Sequence, residues 1–106
     1  GLAERCGDDR LNALLYSNRA QVQLTLGNNA KALEDALEAI KLDETSIKSY
    51  FRGARAALRT ERWPECEQLC TSGLKLDPSA AELTKIQQAA VTRRVALAEV
   101  EERRWG

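Results

Sequence analysis

The amino-acid sequence contains two copies of one 34-residue pattern, in residues 13–46 and 47–80. The aligned identities are Tyr16 with Tyr50, Ala20 with Ala54, Leu24 with Leu58, and Lys41-Leu42-Asp43 with Lys75-Leu76-Asp77. A tandem repeat of this length is typical of a solenoid, in which each unit stacks on its neighbours to bury its apolar face. The repeat therefore constrains the fold of this chain more than any single residue does.

Apolar residues inside each copy recur at helical spacing and predict an antiparallel helix pair per copy. The predicted helices span residues 11–26, 30–41, about 46–59 and 63–75. Gly27-Asn28-Asn29 is expected to end the first helix, because Gly and Asn tolerate the left-handed conformation. Pro64 suits the first turn of the fourth helix, and Asp77-Pro78 ends it. The sequence therefore predicts an all-α fold.

The pattern changes after Ser79, and residues 80–104 read as one long helix. Ser79 is a candidate N-cap, with Glu82 as its capping-box partner. The inner face of this helix is predicted to consist of Leu83, Ile86, Ala90, Leu97 and Val100. We expect a helix that caps the last repeat with its first half and is solvated in its charged second half. A coiled-coil seam is the alternative, although Arg93 interrupts the heptad.

The start of the chain suggests part of a further repeat. Gly1-Leu2 matches Gly73-Leu74, which close the fourth helix. The predicted organisation is the tail of a truncated preceding repeat and a linker in residues 1–10, repeats in 11–45 and 46–78, and a capping helix in 79–106. Repeat arrays usually need about three units for stability. We therefore expect an exposed face on the first helix and marginal stability for this chain alone.

Composition excludes several functional classes. The 106 residues hold 16 basic and 16 acidic side chains, so no net field favours nucleic acid or an anionic membrane. No apolar run is long enough to span a membrane, and no signal peptide is recognisable. Three cysteines, an odd number, argue against a disulfide framework and favour a reducing cytosolic or nuclear compartment.

Cys66 and Cys70 are four residues apart and share one helical face. This spacing could present two thiolates to zinc, but a structural zinc site needs four ligands and the chain offers only Cys6 besides. The two cysteines align with Ala32 and Ala36, which are small inward positions of the repeat. We therefore expect both thiols to pack in the core.

Three polar residues differ between the copies and suggest an anion site. Lys48 and Arg52 lie one turn apart on one helical face, and Asn18 occupies the position equivalent to Arg52. The first helices of successive repeats line the concave groove of such a solenoid. A carboxylate in this groove would receive charge-assisted hydrogen bonds from both cations. The alternative is that Lys48 and Arg52 are ordinary solvated cations.

The helix pair of 34 residues resembles the tetratricopeptide repeat (TPR). The segments Leu15-Tyr16-Ser17-Asn18-Arg19-Ala20 and Ile47-Lys48-Ser49-Tyr50-Phe51-Arg52-Gly53-Ala54 further resemble carboxylate-clamp TPR domains of chaperone cofactors. In those domains N-R-A or N-R-S stands in the second repeat and K-x-x-x-R in the third. The stretch from Cys6 to Tyr16 is also similar to the junction of repeats 1 and 2 in the tetratricopeptide repeat protein 4 family.

This resemblance implies a co-chaperone that binds the C-terminal Glu-Glu-Val-Asp tail of heat-shock protein 90 or 70. Asn18, Lys48 and Arg52 would be clamp residues by this match. Further candidate groove contacts are Ser17, Gln21, Phe51 and Arg55. The family's first repeat supplies a further Lys and Asn, which match no residue here, so the clamp would be partial.

We expect no cofactor, no metal, no nucleic acid, no membrane and no small-molecule substrate as partners of this chain. The sequence also contains no nucleophile–base pair or phosphate loop, so we expect no enzymatic activity. The alternative function is a general interaction scaffold, which would bind an internal segment of a partner or self-associate without using a carboxylate clamp.

Overall fold

A computed structural model describes the backbone of residues 2–105 and the side chains of residues 9–99. Within this part the chain forms five helices: α1 (Leu2–Leu26), α2 (Asn29–Leu42), α3 (Ile47–Arg59), α4 (Trp63–Leu76) and α5 (Ala81–Trp105). Each helix packs against the next in chain order, and α3 also contacts both α1 and α5. The predicted all-α solenoid is confirmed. No helix within the described residues has the length and apolar character needed to cross a membrane.

The predicted start of the first helix at residue 11 is wrong, because α1 begins at Leu2. Residues 2–10 contain no proline, and their one glycine, Gly7, costs a helix only about 1 kcal/mol. A helix that has already formed propagates through such a residue. The assignment of residues 1–10 to a preceding repeat and linker stays a prediction.

Both hairpins turn in the same way, although their sequences differ. After α1, the Gly27 N–H donates to the Leu24 carbonyl at 3.1 Å and the Asn28 N–H donates to the Gln23 carbonyl at 2.8 Å. Gly27 itself has φ of 83°. After α3, the same pair of bonds closes around Glu61, whose φ is 60°. This is the Schellman ending, in which a left-handed residue satisfies the last helical carbonyls. Glycine adopts that conformation without strain, whereas glutamate does not.

An aspartate side chain closes the turn before α3, and another closes the turn before α5. Asp43 Oδ1 accepts bonds from the Thr45 N–H and hydroxyl, and these bonds lower the pKa of Asp43. Asp77 Oδ1 accepts the equivalent bonds from Ser79, at 3.1 and 2.6 Å. The prediction of Ser79 as an N-cap is therefore wrong, because its hydroxyl is bound to Asp77 and α5 begins only at Ala81.

The core runs between the two hairpins and under the first half of α5. Its largest fully buried side chains include Leu83, Cys66 and Cys70. A Cβ added at Gly73 would lie 2.5 Å from Leu83 Cδ1 and 3.1 Å from Tyr50 Cβ, so a larger residue here would force the Leu83 side chain or the packed helices to shift.

Helix α5 follows the expected inner face only in its first half. Leu83, Ile86 and Ala90 are buried, whereas Leu97 is 52% exposed and Val100 lies outside the described side chains. An ion pair of 3.1 Å joins Arg94 to Glu67 of α4. The prediction fails at Leu97, which lies in a stretch of α5, residues 91–99, that is exposed throughout.

Candidate peptide-binding groove

The concave side of the molecule is formed by α1, α3 and α5. Helix α3 contacts both α1 and α5, whereas α2 and α4 do not touch within the described residues. Helices that approach closely lie on the inner side of a curved stack, so the α1, α3 and α5 surface is the groove. The helical period decides which side chains line the groove, because residues four and seven apart lie on one face of a helix.

Helix α3 presents an almost entirely cationic face to this groove. Its buried face consists of Ser49, Tyr50, Gly53, Ala54, Ala56 and Ala57. Its remaining face carries Phe51 and four cations: Lys48, Arg52, Arg55 and Arg59. Among residues 9–99, none of these four cations forms an ion pair with a carboxylate. The groove wall therefore holds positive charge that no described acidic side chain neutralises.

Arg52 is held in place by α1. Its Nη1 donates to both the carbonyl oxygen and the hydroxyl of Ser17, each at 2.8 Å. Burial lowers the pKa of Arg52, although a guanidinium stays charged at any physiological pH. Because only Nη1 is engaged with described residues, the Nε and Nη2 donors remain for another acceptor.

Lys48 and Asn18 border the same site. Lys48 is exposed one turn before Arg52, and Asn18 is exposed next to the residue that Arg52 binds. Neither side chain hydrogen-bonds to a described residue. The packing of α1 against α3 thus places an amide, an ammonium and a guanidinium along one stretch of groove.

Three of the four additional groove candidates lie at or near the surface. Gln21 and Arg55 are exposed, and the Arg55 guanidinium carbon lies 5.5 Å from the centre of the half-buried Phe51 ring. Ser17 is only 3% exposed, so its prediction as a groove-lining residue needs correction. Ser17 lies beneath the groove and contacts Arg52 instead.

Sequence reasoning missed Arg59. Its Nη1 donates to the Leu24 carbonyl at 3.1 Å and to Asn29 Oδ1 at 3.5 Å. Arg52 and Arg59 are seven residues apart, and so are their acceptors Ser17 and Leu24. Seven residues are two helical turns, so α3 is joined to α1 at two matching levels. This matched spacing was visible in the sequence but has meaning only once the two helices are known to face each other.

The charges are segregated between the two sides of the molecule. Residues 10–33 and 45–60 contain no aspartate or glutamate, whereas α2 and α4 carry Glu34, Asp35, Glu38, Glu65 and Glu67. A net charge of zero is therefore compatible with a cationic surface on one side of the molecule. A surface on which charges of one sign are gathered produces a local potential even when the whole chain is neutral.

The cysteines lie away from the groove. Cys66 and Cys70 are both 0% exposed, and Cys66 Sγ donates to the Ala54 carbonyl at 3.3 Å. A hydrogen bond to Cys66, together with burial, raises the pKa of Cys70 and keeps that thiol neutral. Their predicted packing in the core is confirmed. No group of three or more potential metal ligands occurs among the described residues.

A second polar cluster lies on the face of α1 that points away from α3. Arg19 binds Asp35 through two hydrogen bonds of 2.6 and 2.9 Å and stacks 5.1 Å from the Tyr16 ring centre. This ion pair raises the pKa of Arg19. Since its charges are already paired, the cluster offers an incoming anion less than the α3 face does.

Several known proteins are similar to this chain. Tetratricopeptide repeat protein 4 from Mus musculus is 39% identical over 90 residues, which are 85% of this chain and 23% of that protein. The structure of the Hsp90 co-chaperone Cns1 from Saccharomyces cerevisiae matches with a TM-score of 0.83 and 26% identity, over 99% of this chain and 34% of that one.

A third relative was solved with a peptide. It is the second TPR domain of the human RPAP3 protein in complex with the HSP70 peptide SGPTIEEVD. It matches with a TM-score of 0.71 and 28% identity, over 74% of this chain and 66% of that one. No protein-family model matches the chain. The chain spans about a quarter of the length of the tetratricopeptide repeat protein 4 relatives that it matches.

Proposed function

We propose that this chain, which is a tetratricopeptide-repeat domain similar to that of tetratricopeptide repeat protein 4, is a peptide-binding adaptor for the acidic C-terminal tails of heat-shock protein 90 or 70. The observation that carries the proposal is the groove site of Asn18, Lys48 and Arg52. Its two cations have no carboxylate partner among residues 9–99. The co-chaperone relatives, and the HSP70 peptide bound by the RPAP3 domain, support the choice of ligand.

The proposed mechanism is electrostatic capture of a terminal carboxylate. Arg52 offers Nε and Nη2 to the carboxylate, since Nη1 is bound to Ser17. Lys48 adds a second charge-assisted bond, which is about twice as strong as a neutral one. Asn18 donates its amide N–H to a carbonyl of the peptide backbone or to the second carboxylate oxygen.

Pre-organisation makes this capture effective. Ser17 holds the Arg52 side chain in the folded protein, so less rotamer entropy is lost when the peptide binds. Partial burial of Arg52 also strengthens its electrostatic attraction, because the local dielectric constant is lower than that of water. This role is binding rather than catalysis. A reducing compartment such as the cytosol suits it, because Cys66 and Cys70 are free thiols.

The test is a calorimetric titration with SGPTIEEVD as the free acid and as the C-terminal amide. We expect the amide to bind at least tenfold more weakly, because one charge and one acceptor are removed. Lys48→Glu should abolish binding of the acid without unfolding the protein, since Lys48 is exposed and makes no hydrogen bond with described residues. Lys75→Glu on α4 is the matched control and should bind normally.

Equal binding of the acid and the amide would refute the carboxylate clamp. Loss of binding in both the Lys48 and Lys75 variants would indicate a general charge effect instead. Circular dichroism of each variant would show whether the fold is retained.

A second candidate function is an interaction scaffold that does not use the clamp. It is favoured by the exposed apolar side chains of α1, among which Leu11, Leu15 and Val22 are each more than half exposed. A Leu15→Glu variant separates the two functions. It should reduce association in the scaffold case and leave peptide binding unchanged in the clamp case.

A further inference from the structure

The cationic face of α3 extends beyond the proposed clamp. Arg55 and Arg59 follow Lys48 and Arg52 on the same face, in a helix without any acidic residue. Arg59 is bound to the Leu24 carbonyl of α1. Arg55 is different, because its guanidinium stacks beside Phe51 and forms no hydrogen bond or ion pair with another residue of 9–99.

The surrounding helices do not neutralise Arg55. On α1 the equivalent position is Gln21, and residues 10–33 contain no acid. On α5 the acids among residues 81–99 are Glu82 in the first turn and Glu99 in the exposed second half. Glu82 aligns with Lys48 rather than with Arg55 when the starts of α5 and α3 are superposed. The level of the groove at Arg55 is therefore cationic on one wall and uncharged on the facing wall of α1.

Spacing relates Arg55 to the clamp. Seven residues separate Lys48 from Arg55, which is about 10.5 Å along a helix with a rise of 1.5 Å per residue. An extended peptide covers this distance in about three residues. A peptide whose terminal carboxylate lies at Lys48 and Arg52, and which follows the cations of α3, thus brings its third residue before the terminus to Arg55.

We propose that Arg55 forms a second anionic subsite, which binds an acidic side chain about three residues before the C-terminal residue of the peptide. This inference rests on the proposed function and adds a specificity determinant to it. Phe51 supports the subsite, because stacking limits the rotamers of the Arg55 side chain before the ligand binds. Peptides with a free C-terminus but a neutral residue at this position bind more weakly.

The test is a double-mutant cycle between Arg55 and the peptide. Arg55→Gln and the unaltered protein are titrated with SGPTIEEVD, SGPTIQEVD and SGPTIEQVD at low salt. We expect replacement of the first glutamate to weaken binding about threefold in the unaltered protein, a typical value for an exposed ion pair. The same replacement should have no effect in Arg55→Gln. Lys75→Gln removes the same charge from α4 and should keep the threefold preference.

A coupling between Arg55 and the first glutamate that declines as salt is added supports the subsite, because exposed pairs are screened. A coupling to the second glutamate alone would contradict the proposed position of the subsite. If Arg55→Gln weakens all three peptides equally, or weakens none, the subsite does not exist. The amide titration distinguishes this failure from failure of the clamp. Loss of amide binding together with zero coupling would leave the clamp in place and refute only the role of Arg55.

Discussion

Helices α1 and α3 occupy the same place in two copies of one repeat, yet their surroundings differ. Ser49 of α3 and Leu83 of α5 are 0% and 1% exposed, because the preceding hairpin covers each of them. Leu15, at the equivalent position of α1, is 58% exposed. A repeat position is therefore not buried or exposed by its own nature. Burial is conferred by the neighbouring unit.

The largest expected effect tests this difference directly. Leu83→Ala should lower the free energy of unfolding by about 2–5 kcal/mol, since it leaves a cavity under α5. Leu15→Ala removes the same atoms at the equivalent position of α1. It should change the free energy of unfolding by about 0.5 kcal/mol or less. Chemical denaturation of both variants measures the two values. Equal losses would mean that the face of α1 is covered in solution and would break the comparison.

An intermediate effect concerns Ser17, through which α1 acts on α3. Ser17→Ala removes one of the two bonds to Arg52 and should weaken binding of the acidic peptide by about 1 kcal/mol, or about fivefold. Ser17→Thr keeps the hydroxyl and should restore most of the affinity.

A positioning role requires that Ser17 act through Arg52. In an Arg52→Ala background, Ser17→Ala should therefore cause no additional loss of peptide affinity. An undiminished loss in that background would show that Ser17 affects binding by another route.

The smallest effect sharpens the comparison at the hairpin turns. Glu61→Gly should stabilise the fold by about 0.5–1 kcal/mol, because glycine relieves the left-handed strain at a φ of 60°. Gly27→Ala should cost about 1 kcal/mol, and purely through the backbone, since no atom lies within 4 Å of the added Cβ. Thermal melts of both variants should shift in opposite directions. If Glu61→Gly destabilises the fold, the Glu61 side chain makes a stabilising interaction that outweighs the backbone strain at this turn.

The middle of the fold was predictable, because local signals there agree with the repeat. The second, third and fourth helices begin and end within about two residues of their predicted bounds, where Gly27, Pro64 and Asp77 mark the turns. The first helix was predicted to start too late, since nothing in residues 2–10 marks a beginning. The face of α5 was predicted as continuous, but periodicity cannot say where the neighbouring helix stops.

The candidate site was predictable in part. Lys48 and Arg52 follow from helical spacing, and Asn18 follows from the repeat alignment. The buried position of Ser17 and the bond of Arg59 to Leu24 were not predictable, because each depends on a contact 35 residues away in the sequence. Composition could not locate the cationic face of α3, since it counts charges without placing them.

The sequence by itself determined the helix pairs, their repetition and the row of cations on α3, because these depend on a period of 3.6 residues and on local turn chemistry. The tertiary structure decided which equivalent positions are buried, which donors of Arg52 remain available and where the neutral chain becomes cationic. These properties arise from side chains on different helices that meet only when the repeats stack.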